Sequence, residues 1–295
     1  ISIDTTFITT YDELVTIEFN YSENEYASIT EQGDIISVTL ESALQWHASQ
    51  IPNYEIINGY GEVELLNVTD QLLKLLVSSP LSEGFEINIS NLKIFPLNDI
   101  HSQLYISTSD NPDVVYSSDV NIHVGSPFVF FLTDQVFVIN DPPTIMEDLT
   151  IQESSVAIIN TIDDIYINIP SSIDMIWKSL PLFEGSEQSK VGTLEIINDS
   201  TTLYINVVEN FSDNGTLILT GGTFGNFNNR SEISDHLEFS INGMDFSHDF
   251  ITFQTVAIGQ PTIHLDQDAV YVLSDGESEM VSVTIQEDHD YVSLS

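Results

Sequence analysis

Residues 122–153 read IHVGSPFVFFLTDQVFVINDPPTIMEDLTIQE, and residues 256–287 return the same pattern without a gap as VAIGQPTIHLDQDAVYVLSDGESEMVSVTIQE. Eleven of the 32 aligned positions are identical: Gly125/Gly259, Pro127/Pro261, Asp134/Asp268, Val136/Val270, Val138/Val272, Asp141/Asp275, Met146/Met280, Thr150/Thr284, Ile151/Ile285, Gln152/Gln286 and Glu153/Glu287. Chance would supply about two at ordinary composition, so the chain is an internal repeat. Fainter echoes recur at offsets of 130 to 134. Asp34-Ile35 answers Asp164-Ile165, Trp46 answers Trp177, and residues 61–65 (GEVEL) answer 192–196 (GTLEI). Two copies and the beginning of a third follow, with predicted spans 1–125, 126–259 and 260–295. Glycine and proline punctuate both boundaries, at Gly125-Ser126-Pro127 and Gly259-Gln260-Pro261.

Within each copy the apolar residues alternate with period two. Residues 85–90 (FEINIS), 104–108 (LYIST), 202–207 (TLYINV), 216–220 (TLILT) and 281–286 (VSVTIQ) are short β-branched and aromatic runs between Asn/Asp/Gly/Ser clusters. These are the marks of strands. Residues 69–76 (TDQLLKLL) look helical by local propensity, yet their counterpart at 200–207 (STTLYINV) alternates. The repeat therefore predicts strands at both places. About seven to nine strands per copy, with no helical period, predict an all-β chain of tandem immunoglobulin-like β-sandwich domains plus an incomplete third repeat.

The chain has 295 residues with 46 acidic and 5 basic side chains, a net charge of −41. Phosphate binding needs basic residues, and only Lys74, Lys93, Lys178, Lys190 and Arg230 are present, which excludes nucleic acid and anionic membranes as partners. On a compact globule the net charges would sit roughly 17 Å apart, beyond a Debye length of about 8 Å at physiological salt. An ionic, extracellular setting is expected. No apolar run approaches the ~18–20 residues of a membrane span, which predicts no membrane insertion. With no cysteine, stability must come from packing or metal.

Three groups of residues are candidates for function. Asp134, Asp141, Glu153 and their repeats Asp268, Asp275, Glu287 keep carboxylates at equivalent places beside the junctions. Ca²⁺ takes six to eight oxygen ligands, so converging carboxylates there would suit calcium; a solvated acidic face explains them equally well. Trp46 and Trp177 are sugar-stacking platforms if exposed and core residues if buried, and the sandwich favours the core. Seven N-x-S/T sequons lie at Asn20, Asn67, Asn88, Asn198, Asn210, Asn214 and Asn229, with Asn210 and Asn214 in the turn-like NFSDNGT the best glycosylation candidates. The seven histidines fall in no H-E-x-x-H or H-x-H pattern, which predicts no zinc or copper site. No G-x-S-x-G, P-loop or G-x-G-x-x-G occurs, so no enzyme is expected.

Residues 138–144, VINDPPT, resemble the linker of tandem cadherin-like or immunoglobulin-like repeats in microbial surface proteins. That resemblance implies extracellular modules, often stiffened by calcium, that serve in adhesins, surface layers or filaments. The second junction, Ser274-Asp275-Gly276-Glu277, departs from it by lacking the prolines. The strands of residues 260–295 cannot close a sandwich alone. Either a longer array continues beyond them, or they complete a neighbouring copy by strand addition. The expected function is a non-enzymatic structural protein whose copies assemble head-to-tail or in a lattice, with surface glycans as further partners. A stalk of a large adhesin and a carbohydrate-binding module are the alternatives.

Overall fold

A computed structural model describes residues 2–3, 6–9, 14–22, 31–109, 111–119, 122–232, 234–241, 250–259, 262–265 and 283–286. It divides into two compact units. Unit 1 is Ile1–Pro127 with Gln152–Asn160 and Asn210–Gly215; unit 2 is Phe128–Ile151, Thr161–Glu209 and Thr216–Ser295. Of the predicted third span, only 262–265 and 283–286 are among the described residues.

The first copy runs β1 (Thr6–Thr9), β2 (Val15–Ser22), β3 (Ile35–Thr39), β4 (Leu44–Trp46), β5 (Asn53–Asn58) and β6 (Glu62–Val68). It continues through β7 (Leu72–Ser79), β8 (Glu86–Pro96), β9 (Ile100–Ser102), β10 (Tyr105–Thr108), β11 (Asn111–Ser117) and β12 (Ile122–Gly125). The second runs β13 (Phe128–Phe130), β14 (Gln135–Val138), β15 (Thr144–Ile145), β16 (Leu149–Gln152), β17 (Ile165–Asn168), β18 (Ile176–Ser179) and β19 (Leu182–Glu184). Then follow β20 (Val191–Ile197), β21 (Thr202–Val207), β22 (Thr216–Thr220), β23 (Thr223–Gly225), β24 (Asp235–Ser240) and β25 (Phe250–Gly259). Two further strands are β26 (Thr262–Leu265) and β27 (Val283–Gln286). Among the described residues the one helical element is a 3₁₀ turn, Gln188–Lys190, and no helix is long and apolar enough to cross a membrane.

Both copies fold alike. One sheet of unit 1 is ordered β11-β10-β3-β7-β6, and unit 2 repeats it as β25-β24-β17-β21-β20, with β14 added beside β25. In the facing sheet, β8 carries β2 on one side and β4 and β5 on the other. Its counterpart in unit 2 is split: β22 lies between β16 and β19, while β23 lies between β15 and β18. In each unit an early strand joins the last one in parallel, Thr6 opposite Ile122 in one and Gln135 opposite Val256 in the other. The third copy opens the same way, since β26 pairs with β27 as β13 pairs with β16.

The core is built from the alternating positions. Ile36, Val38, Leu73, Leu75, Ile87 and Ile89 are buried in unit 1, as are Ile165, Ile167, Leu203, Ile205, Leu217 and Leu219 in unit 2. Each such side chain contributes about 1.5–3 kcal/mol relative to exposure. Residues 72–79 form a strand, so tertiary pairing overrides their local helical preference. Trp46 and Trp177 are both buried, with Trp177 packed 4.5 Å from the Phe224 ring, which leaves neither indole face open to a sugar. Each indole N–H is buried without a protein partner, at a cost of about 1–3 kcal/mol per group.

The long strand of each copy breaks its own period once. In β8 the buried side chains shift from Ile87 and Ile89 to Leu92 and Ile94; the equivalent shift runs from Leu217 and Leu219 to Phe224. A slip of one residue would turn every later apolar side chain outward. The slip is absorbed at Asn91 (φ 58°) and Gly221 (φ 73°), which are 130 residues apart and both left-handed. Asparagine and glycine are the residues that tolerate this conformation.

Recurring acids do structural work. Asp164 accepts hydrogen bonds from the Tyr204 hydroxyl (2.7 Å), the Asn206 amide (3.0 Å) and the Val207 N–H (2.9 Å). The bond to Asp164 is the main reason that the Tyr204 phenol is pushed up to about 12. Asp34, its counterpart, accepts from the Glu31 N–H and the Ser109 hydroxyl.

At Gly221 an added Cβ would meet nothing within 4 Å, so a substitution there tests backbone conformation alone. Gly221→Asn is expected to leave stability near the parent's, and Gly221→Val to cost about 1–2 kcal/mol, read by urea denaturation. Equal losses for the two variants would remove the left-handed requirement.

Candidate functional site: a histidine and aspartate cavity

Strand register assembles the site. His101 on β9 and His123 on β12 are direct cross-strand partners, and Phe7 on β1 is the partner of His123 on its other side. Side chains in such a row project to one face of a sheet and touch. Phe7 stacks on His123 at 5.0 Å and 20°, and His123 meets His101 edge-on, with the two Nδ1 atoms 2.7 Å apart.

Two loops of unit 1 close the cavity. Gln152–Asn160 and Asn210–Gly215 are tied together by the Asn214 N–H donating to the Ser154 carbonyl (2.7 Å) and the Phe211 N–H to the Ile159 carbonyl (2.9 Å). They place Asp213 so that Oδ1 accepts the Ala157 N–H at 2.8 Å and Oδ2 lies 3.3 Å from His101 Nε2. The cavity holds about 210 Å³ and has apolar walls from Phe7, Ile159 and Phe211. That volume is below the ~300–1,000 Å³ of sites for drug-sized ligands.

Proton bookkeeping makes the cluster sensitive to pH. A contact between two Nδ1 atoms at 2.7 Å needs one donor and one acceptor, so both rings cannot be cationic in this arrangement. Burial lowers the His123 pKa, with the neighbouring His101 charge adding to it and Asp213 partly opposing. The Ala157 N–H, with help from His101, holds the Asp213 carboxyl below its usual range. A histidine whose folded pKa is depressed binds fewer protons than the unfolded chain below pH 6.5. Stability from His123 is therefore complete above that pH and is lost as pH falls toward the lowered value.

The candidate acids lie elsewhere. Asp134 precedes β14 and Asp141 follows it; both are exposed in unit 2. Glu153 is buried in unit 1, where Oε1 accepts the N–H groups of Ile158 (3.1 Å) and Ile159 (2.6 Å) and so shapes the loop after β16. Asp268, Asp275 and Glu287 lie outside the described residues. Among the described residues no group of three His, Asp or Glu side chains is placed to hold a metal ion. Gly125 has a packing reason of its own: an added Cβ would come within 2.2 Å of the Val156 carbonyl oxygen.

The sequons divide by environment. Asn20 and Asn88 are half-buried cross-strand partners, and the Asn88 amide nitrogen donates to Asn20 Oδ1 at 3.0 Å. Asn67, Asn198, Asn210, Asn214 and Asn229 are exposed. Asn198 and Asn214 sit at left-handed turn positions, and the Asn229 amide bonds to Asp174. The sequence reading missed the histidine cluster because residues 22 positions apart meet only once β9 pairs with β12; the alternation around each was the one available signal.

Two outcomes are expected. The melting temperature should fall between pH 7 and pH 5, and His123→Phe, which keeps the stacking on Phe7, should flatten that fall; an unchanged profile would remove His123 as its source. Glycopeptide mapping of chain secreted by a glycosylating host should find Asn67 and Asn214 occupied and Asn20 and Asn88 bare.

No family model matches the chain, and no curated protein matches it. It is similar in structure to the C-terminal domain of the Streptococcus agalactiae AgI/II polypeptide BspA, at 11% identity and TM-score 0.42 over 88% of this chain and 96% of that one. The C-terminal domain of the Streptococcus pyogenes antigen I/II-family protein AspA gives 9% identity and TM-score 0.41, covering 86% and 95%. BcpA, the major pilin subunit of Bacillus cereus, gives 10% identity and TM-score 0.27, covering 100% and 63%. The fold is established by this chain's own strand order.

Proposed function

We propose that the chain is a non-enzymatic structural segment of an extracellular surface protein, with β-sandwiches in tandem along the sequence that transmit tension as a stalk does. One observation carries this reading: in each copy the last strand runs parallel to an early one. Thr6 lies opposite Ile122 and Thr9 opposite Gly125, so chain entering at β1 and leaving at β12 is at opposite ends of the pair. Tension then shears all four register pairs together, where an antiparallel pairing would open them one by one. Gln135 to Val138 opposite Val256 to Gly259 repeat the arrangement. Forced unfolding is governed by the unfolding rate, which such a geometry slows.

Calcium, self-assembly into a layer or filament, and glycan binding belong to this reading as separate proposals. Thermal melting in calcium and in chelator tests the first, and electron microscopy with sedimentation tests the second. Retention on immobilised polysaccharide tests the third.

Pulling single molecules by their ends is expected to give two main unfolding events of similar force. Each should release roughly 430–470 Å, the contour of about 130 residues at ~3.3–3.6 Å each. Smooth extension without discrete events would overturn the reading.

A further inference from the structure

The strand β5 is exposed along its whole length, although its partner β8 is a core strand. Tyr54 and Ile56 stand opposite Ile89 and Ile87, both buried, yet are themselves open to solvent. Ile57, on the other face, is 53% exposed, and the flanking Ile51 and Tyr60 are 75% and 73% exposed. Among the described residues β5 pairs with β8 alone, so its outer backbone edge has no strand beside it. Edge strands are ordinarily protected by lysine, an internal proline, a bulge, a covering loop or short length; residues 53–58 contain neither lysine nor proline, and the one irregularity of β5 lies at its end, between Ile56 and Asn58. Tyr54 also reaches the backbone of Leu65 on β6, with Glu64 beside it.

The second copy presents the same device. Residues 51–55 (IPNYE) align with residues 180–184 (LPLFE), sharing the proline and the glutamate. There β19 is the edge strand beside β22, as β5 lies beside β8, and Leu182 is 72% exposed. An apolar edge kept open at one position of both copies is a feature of the repeat unit.

Charge selects the occupant. Residues 51–66 carry Glu55, Glu62 and Glu64 and no basic side chain. A second copy of a chain with net charge −41 would bring more acids onto this edge. We propose that the outer edge of β5 is a docking edge for an extended peptide segment with alternating basic and apolar residues, which adds to the sheet as a further strand. Its backbone would complete the edge hydrogen bonds, its apolar side chains would cover Ile56 or Ile57, and its cations would meet the glutamates. The β19 edge is a second, weaker position for the same ligand.

The test uses the whole chain and a fluorescent peptide of about ten residues alternating lysine and valine. Titration by fluorescence anisotropy should show saturable binding, and hydrogen exchange should show new protection confined to residues 53–58 and 182–184. A lysine and glutamine peptide of equal charge, and the Ile56→Asp/Ile57→Asp variant, should each bind about tenfold more weakly or less. Both isoleucines are exposed, so the variant should melt as the parent does. Equal binding by the glutamine peptide would reduce the effect to diffuse electrostatics and overturn the proposal. Protection elsewhere in the chain would also overturn it, as would equal binding by a glutamate and valine peptide or dimerisation of the chain through β5.

Discussion

Everything in this fold follows from one requirement: apolar side chains that alternate along a strand must all reach the same face, and that face must find another sheet. The requirement is strict enough to govern even its exceptions. In the long central strand of each copy, one residue falls out of register. The chain spends an asparagine at 91 and a glycine at 221 to return the apolar set to the interior. In the second copy the same event divides the strand in two. Two sequences that have drifted apart at most positions thus keep the same slip at the same place.

The charge of the chain is handled within that frame. Aspartates and glutamates that recur between copies, such as Asp34, Asp164 and Glu153, accept backbone and side-chain hydrogen bonds at the ends of strands and in loops. A carboxylate offers several lone pairs, so it can satisfy two or three donors where a turn leaves them unpaired. The cavity in unit 1 uses the same chemistry through Asp213, which accepts the Ala157 N–H and meets His101, itself in contact with His123.

A structural role and an exposed docking edge are compatible consequences of repetition. Parallel pairing of an early strand with the last recurs in the first two copies, whereas the β5 and β19 edges lie on strands that take no part in that pairing. A tether can carry tension along one pair of strands while a lateral edge stays available to a partner.

The 134-residue duplication, the period-two alternation and the burial of Trp46 and Trp177 were legible in the residues, because period and recurrence are one-dimensional properties. The repeat even corrected local propensity at residues 69–76, where neighbouring leucines alone suggest a helix. Tertiary structure alone decided three other matters: the register that sets Phe7, His123 and His101 in one row, the inclusion of residues 152–160 and 210–215 in unit 1, and the exposure of β5. Each depends on which strands become neighbours across long separations in sequence, and alternation specifies which face a residue takes but not which residue it will meet.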